Sequence, residues 1–158
     1  MRIIKMLDFI GGFDLKKKVF DLLKKLKKEV PGNTFTGTGI IIYENLSNLP
    51  VFNMSKSSEL HGSNDVYTTI LESSLATNPN HDGFNMINSD FKITHRNVYF
   101  APPVDLDVKF DNESGFGTRY VAALLGSRVK GVLLTAVVSN SYGIVVFENG
   151  SPVLVSKQ

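Results

Sequence analysis

The C-terminal third of the chain constrains the fold most. Gly131 to Ser139 (GVLLTAVVS) and Gly143 to Glu148 (GIVVFE) are apolar, β-branched runs with few polar residues. Bounded by turn formers, such runs predict strands buried on both faces and not one-sided strands with alternating polarity. Asn149-Gly150 is a tight-turn dipeptide, and Pro152 to Val155 is the returning strand it predicts. A buried strand of this kind belongs at the centre of a layered core.

The remaining elements supply the layers. Gly39 to Tyr43 is another apolar β-branched run, and Phe84 to Asn88 and Phe91 to Phe100 read as strands around a turn at Ser89-Asp90. Asp14 to Glu29 reads as an amphipathic helix. Leu15, Val19, Leu22, Leu23 and Leu26 share one face, Asp14 is its expected N-cap, and Pro31-Gly32 stops it. Asn64 to Ala76 and Thr118 to Ser127 read as further helices, the latter with Thr118 as its expected N-cap. Asn45 to Ser63 and Asp105 to Gly117 read as loops. Strands before, between and after helices predict an α/β fold, a single domain with a central mixed sheet flanked by helices. Residues 1–35 form an N-terminal segment with the lysine-rich helix, and residues 36–158 form the domain proper.

Composition sets limits on chemistry. With 158 residues and 42% hydrophobic content, the chain can close a core without a metal or disulfide staple. It has no cysteine, which excludes disulfides, thiolate zinc sites and Cys nucleophiles. His61, His81 and His95 are too scattered to suggest a three-histidine zinc site. The net charge of +2 hides an asymmetry. Seven lysines between Asp14 and Glu29, against Asp14, Asp21 and Glu29, leave +4 on that segment and −2 on the rest. The basic pI thus reports one helix face and does not mark a nucleic-acid-binding domain. Residues 1–12 lack the apolar length of a membrane span and the pattern of a signal peptide. The expectation is a soluble, cytoplasmic protein without a DNA-binding domain.

Three polar segments punctuate the apolar elements: His81-Asp82-Gly83, Gly117-Thr118-Arg119, and Ser139-Asn140-Ser141-Tyr142-Gly143. Each lies at the end of a predicted strand or helix, where α/β sheets usually bind ligands. Gly117 allows close backbone approach, the helix start offers free N–H groups, and Arg119 can grip a phosphate with two donors. Asp82 is a candidate hard-metal ligand, although Asp before Gly is commonly a turn former. Tyr120 and Tyr142 are candidates for base stacking or for packing. Asp105, Asp107, Asp111 and Glu113 read as a solvated acidic loop, and Phe84 and Met86 as core.

In order and spacing these segments resemble the diadenylate cyclase domain of DisA-type proteins. That family carries His-Asp-Gly-Ala, then Gly-Thr-Arg-His-Arg-Ala-Ala opening a helix, then Ser-Glu-Glu-Thr-Gly after a buried strand. Here His81-Asp82-Gly83-Phe84, Gly117-Thr118-Arg119-Tyr120-Val121-Ala122-Ala123 and Ser139-Asn140-Ser141-Tyr142-Gly143 stand at those motifs, and Glu148-Asn149-Gly150 follows. The similarity runs from about Thr36 to Val155. It implies an ATP pocket and a face-to-face homodimer in which two ATP condense to c-di-AMP and pyrophosphate with Mg or Mn. By this resemblance Asp82 is the catalytic metal ligand. Gly83, Phe84, Gly117, Thr118, Arg119, Ser139 and Gly143 are nucleotide-binding.

Most of the departures fall on charged positions. Tyr120 and Val121 replace a His and an Arg, Asn140 and Ser141 replace two glutamates, and Phe84 replaces an alanine. Losing two charge-assisted phosphate contacts, at about 1.5–3 kcal/mol each, weakens triphosphate binding by about 3–6 kcal/mol. Arg128 and Lys130 are the candidates for compensation. The expectation is a nucleotide or cyclic-dinucleotide binding or sensor module. A divergent but active cyclase is the alternative, and a ligand-free interaction module the second.

Overall fold

β1 (Thr38–Tyr43) is buried along its whole length, as its unbroken apolar run requires. Ile40 and Ile42 pack into one hydrophobic cluster, while Ile41 and Tyr43 pack into another on the opposite face. This two-sided burial organises the molecule into three layers. The computed structural model describes residues 2–112 and 114–156, with side chains described from Leu15 onward.

In chain order the other elements are α1 (Arg2–Glu29), β2 (Val51–Asn53), α2 (Val66–Ser73), β3 (Phe84–Asn88), β4 (Ile93–Phe100), α3 (Thr118–Gly126), β5 (Val132–Ser139), β6 (Gly143–Glu148) and β7 (Ser151–Ser156). The strands form one sheet in the order β2-β4-β3-β1-β5-β6-β7. β1 and β3 are parallel, and every other neighbouring pair is antiparallel. The expected mixed α/β sheet flanked by helices is therefore present.

One face of the sheet is covered by α1 and α2. Val19, Leu23 and Leu26 of α1 are fully buried against Leu134, Ala136, Val138, Ile144 and Val146 of β5 and β6. Ile70 of α2 joins the same cluster. Burying one such side chain contributes about 1.5–3 kcal/mol, so α1 belongs to the core and is not an appendage. The other face is covered by α3, whose Tyr120, Ala123 and Leu124 pack with Val137, Val145 and Phe147. The β6–β7 hairpin turns on Asn149 and Gly150, with φ of 50° and 80°. That left-handed pair is the geometry the Asn-Gly dipeptide favours.

Four expectations need correction. The first helix begins at Arg2, so Asp14 is an interior position and not the N-cap. Gly11-Gly12 resembles a break, but each helical glycine costs only about 1 kcal/mol relative to alanine and is tolerated. The stretch read as a loop from Asn45 to Ser63 contains β2, an edge strand of three residues paired with β4. α3 is capped by Gly117, with Thr118 its first helical residue. Glu113 of the acidic loop lies outside the described residues. Asp105 of that loop is not merely solvated, since its carboxylate pairs with the Arg128 guanidinium at 2.9 Å. Among the described residues no helix is long and apolar enough to cross a membrane.

Candidate functional site

Antiparallel pairing brings the three polar segments together. β1 and β3 begin at the same end of the sheet where β4 and β5 finish. Thr36 before β1, Gly83 before β3, Ala101 after β4 and Ser139 closing β5 thus share one rim, and the N-terminus of α3 closes over it. Together they line an open cavity of about 940 Å³. That volume lies within the range of small-molecule sites, roughly 300–1,000 Å³. Asp82, Gly83, Phe84, Gly117, Thr118, Arg119 and Ser139 all line it. Gly143 does not; it opens β6 opposite Ser139.

Gly83 presents Asp82. Its φ is +83°, and a Cβ there would lie 2.4 Å from the Val98 carbonyl oxygen. Asn97, itself at φ 54°, donates from Nδ2 to the Asp82 carbonyl at 2.9 Å. The β3–β4 register shifts at this point. The bulge fixes the backbone and leaves the Asp82 side chain 75% exposed. His81 Nδ1 stands 3.6 Å from Asp82 Oδ1, beyond hydrogen-bond length, so His81 neighbours the carboxylate without orienting it.

Arg119 spans the cavity floor. Its terminal nitrogens donate to the carbonyls of Thr36 at 3.3 Å and His81 at 3.5 Å. Both contacts are long, and the guanidinium remains on the wall with donors to spare. Burial pushes its pKa down, while the neighbouring Tyr142 and Asp82 oppose that shift. Gly117 caps α3 without a side-chain hydrogen bond. The first N–H groups of that helix have no intrahelical acceptor, and Gly117, Thr118 and Arg119 line the same cavity.

The departures from the family motifs have structural consequences. Phe84 is 4% exposed and packs edge-on against Phe100, with ring centroids 5.3 Å apart. Space for its ring comes from Gly39 on the neighbouring strand, where a Cβ would lie 2.6 Å from the ring. Phe84 therefore serves the core and the cavity wall at once. Tyr120 is buried and stacks on Phe116 at 4.0 Å. Tyr142 meets both rings edge-on, at 5.4 and 5.7 Å. Burial raises the Tyr142 phenol to about 12, despite the Arg119 charge beside it. Tyr120 is committed to this cluster, whereas Tyr142, Phe110 and Phe116 also reach the cavity. Phe110 and Phe116 were not foreseen as site residues. Two aromatics within a loop rich in charged residues and glycine were the signal.

Asn140 turns away from the cavity. Its Nδ2 donates to the carbonyls of Gly32 at 3.0 Å and Phe35 at 3.3 Å, tying the β5–β6 turn to the segment before β1. Ser141 and Ser139 share a hydroxyl contact of 2.8 Å on the cavity wall. Val121 lines the cavity where the family carries an arginine. Arg128 is engaged with Asp105 and does not compensate, and Lys130 is not on the wall.

Asp82 is the single carboxylate on the cavity wall among the described residues. Nor do those residues gather three or more His, Cys, Asp or Glu around any point. Such a donor set suits Mg²⁺ or Mn²⁺ only when ligand phosphates complete the coordination.

No model of a known protein family matches the chain, and no curated protein matches it. Solved structures do. The chain is similar to a hypothetical membrane spanning protein from Bacillus cereus, with a TM-score of 0.64, 20% identity, and coverage of 87% of this chain. It spans 61% of that protein's length. It is also similar to a double mutant of DacA, a diadenylate cyclase from Staphylococcus aureus, with a TM-score of 0.57 and 19% identity. That match covers 92% of this chain and 86% of the other. At such identities the likeness establishes architecture alone: this chain has a diadenylate-cyclase-like fold.

Proposed function

We propose that this domain binds an adenine nucleotide or cyclic dinucleotide in the cavity between α3 and the sheet rim, as a sensor and not a synthase. One observation carries the reading. The cavity keeps Asp82, Gly117, Thr118 and Arg119 on its wall but has Val121, Ser141 and aromatic rings where a cyclase needs further charge. In-line phosphoryl transfer depends on positioning and on neutralising phosphate charge. Binding by stacking and one guanidinium needs less. In this reading Arg119 and the α3 N-terminus hold a phosphate, and Ser139 donates a hydroxyl. A divalent ion, where bound, would rest on Asp82 and the ligand's own phosphates.

The test is incubation with ATP and Mn²⁺ followed by mass spectrometry for c-di-AMP, beside a thermal-shift panel of nucleotides. Stabilisation without product is expected, because a ligand that prefers the native state raises the melting point. The exposed carboxylate of Asp82 favours the second reading, a divergent cyclase acting as a face-to-face homodimer. Robust product, lost in Asp82→Ala, would establish that reading. No stabilisation by any nucleotide at millimolar concentration would leave an interaction module.

A further inference from the structure

The charge inventory of the cavity narrows the ligand beyond its being a nucleotide. Asp82 and Arg119 are the charged side chains on the wall among the described residues, and they cancel. Arg119 already shares its terminal nitrogens with two backbone carbonyls. The start of α3 adds roughly half a positive charge through its unpaired N–H groups. Tyr142 beside Arg119 is a neutral phenol across the physiological range. Ser139 and Ser141 offer hydroxyls, which donate hydrogen bonds without neutralising charge.

With a net of only about half a positive charge, a wall of this kind tolerates one charge per phosphate better than the several of a triphosphate chain. The rest of the lining is suited to bases. Phe110, Phe116 and Tyr142 present aromatic surface on the same cavity, and base stacking on such rings is independent of phosphate charge.

We infer that the cavity selects phosphodiester-linked nucleotides, in which each phosphate carries a single charge, and discriminates against nucleoside triphosphates. This rests on the nucleotide-binding reading above and adds a charge rule to it. A cyclic dinucleotide and a linear dinucleotide share the recognised chemistry. Calorimetric titration separates the two.

The experiment titrates the full chain at fixed ionic strength with c-di-AMP, linear ApA, AMP and ATP, the last with and without Mn²⁺. The phosphodiesters are expected to bind about tenfold or more tighter than metal-free ATP, and Mn²⁺, which cancels two of the triphosphate's charges, is expected to narrow that gap. Preference for c-di-AMP over ApA identifies a cyclic ligand, and equal affinity identifies the phosphodiester itself; both outcomes support the rule. Metal-free ATP binding as tightly as either phosphodiester overturns the rule while leaving the nucleotide reading intact. Binding of none of them overturns both. Val121→Arg adds a guanidinium to the wall and is expected to shift the ATP to c-di-AMP affinity ratio about tenfold towards ATP. Ser141→Lys makes the same test at an exposed turn position, should the helix variant fail to fold. An unchanged ratio in a folded variant overturns the charge explanation.

Discussion

At Gly83 a single backbone conformation carries a candidate ligand. With φ of +83° and the Val98 carbonyl in the way, any side chain is excluded twice, by strain and by collision. Gly83→Ala is expected to cost about 1–3 kcal/mol from strain alone, read as a lower urea midpoint, and to disturb the presentation of Asp82. Tyr142 gives a pH signature. Its phenol is raised from 10.0 to about 12 by burial, so the folded chain keeps a proton that the unfolded chain begins to lose near pH 10. Stability is intact below that pH and is lost as pH rises towards 12. Tyr67, raised to about 12 by burial and its hydrogen bond to Glu29, contributes in the same direction. Tyr142→Phe should therefore lessen the alkaline fall in melting temperature between pH 10 and 12 without abolishing it.

The β5–β6 turn illustrates what an element does with its residues. By the motif resemblance Asn140 and Ser141 stand where the family has two glutamates, one of them expected to be a second metal carboxylate. The turn sends them in different directions, Asn140 to the carbonyls of Gly32 and Phe35 and Ser141 to the cavity. Asn140→Glu is expected to leave those carbonyls without their donor and to lower stability by about 1 kcal/mol in denaturant unfolding. It should not produce c-di-AMP from ATP and Mn²⁺, because position 140 does not line the cavity. α1 was legible over its apolar half, where Leu15 to Leu26 keep helical spacing. Its start was not, because Gly11-Gly12 imitates a break. β2 escaped notice for a different reason. Its three residues are held by pairing with β4, and Phe52 on it is 70% exposed, so no burial pattern marks it.

For the molecule as a whole, α1 is one wall of the core. Residues 1–35 remove Val19, Leu23, Leu26 and Val30 from beneath β5 and β6 when deleted. A chain of residues 36–158 is expected to lose cooperative thermal unfolding and to bind a hydrophobic dye, as uncovered sheet faces do. The same contacts make Leu23→Ala a milder probe, costing about 2–5 kcal/mol in denaturant unfolding while the chain remains folded.

The sequence alone determined the layered α/β class, the central strands, the second and third helices and the Asn-Gly turn. These follow from local causes: apolar period, β-branching, and turn residues with special φ. It also singled out the segments around Asp82, Gly117 and Ser139. Tertiary structure decided what those segments make together. Pairing of β1 with β3 and β5 puts them on one rim, and packing of α3 turns Phe116, Tyr120 and Tyr142 into one aromatic cluster. Neither the burial of Phe84 over Gly39 nor the diversion of Asn140 from the cavity can be read along the chain. Both depend on residues brought close by the sheet, and spacing in sequence carries no measure of that distance.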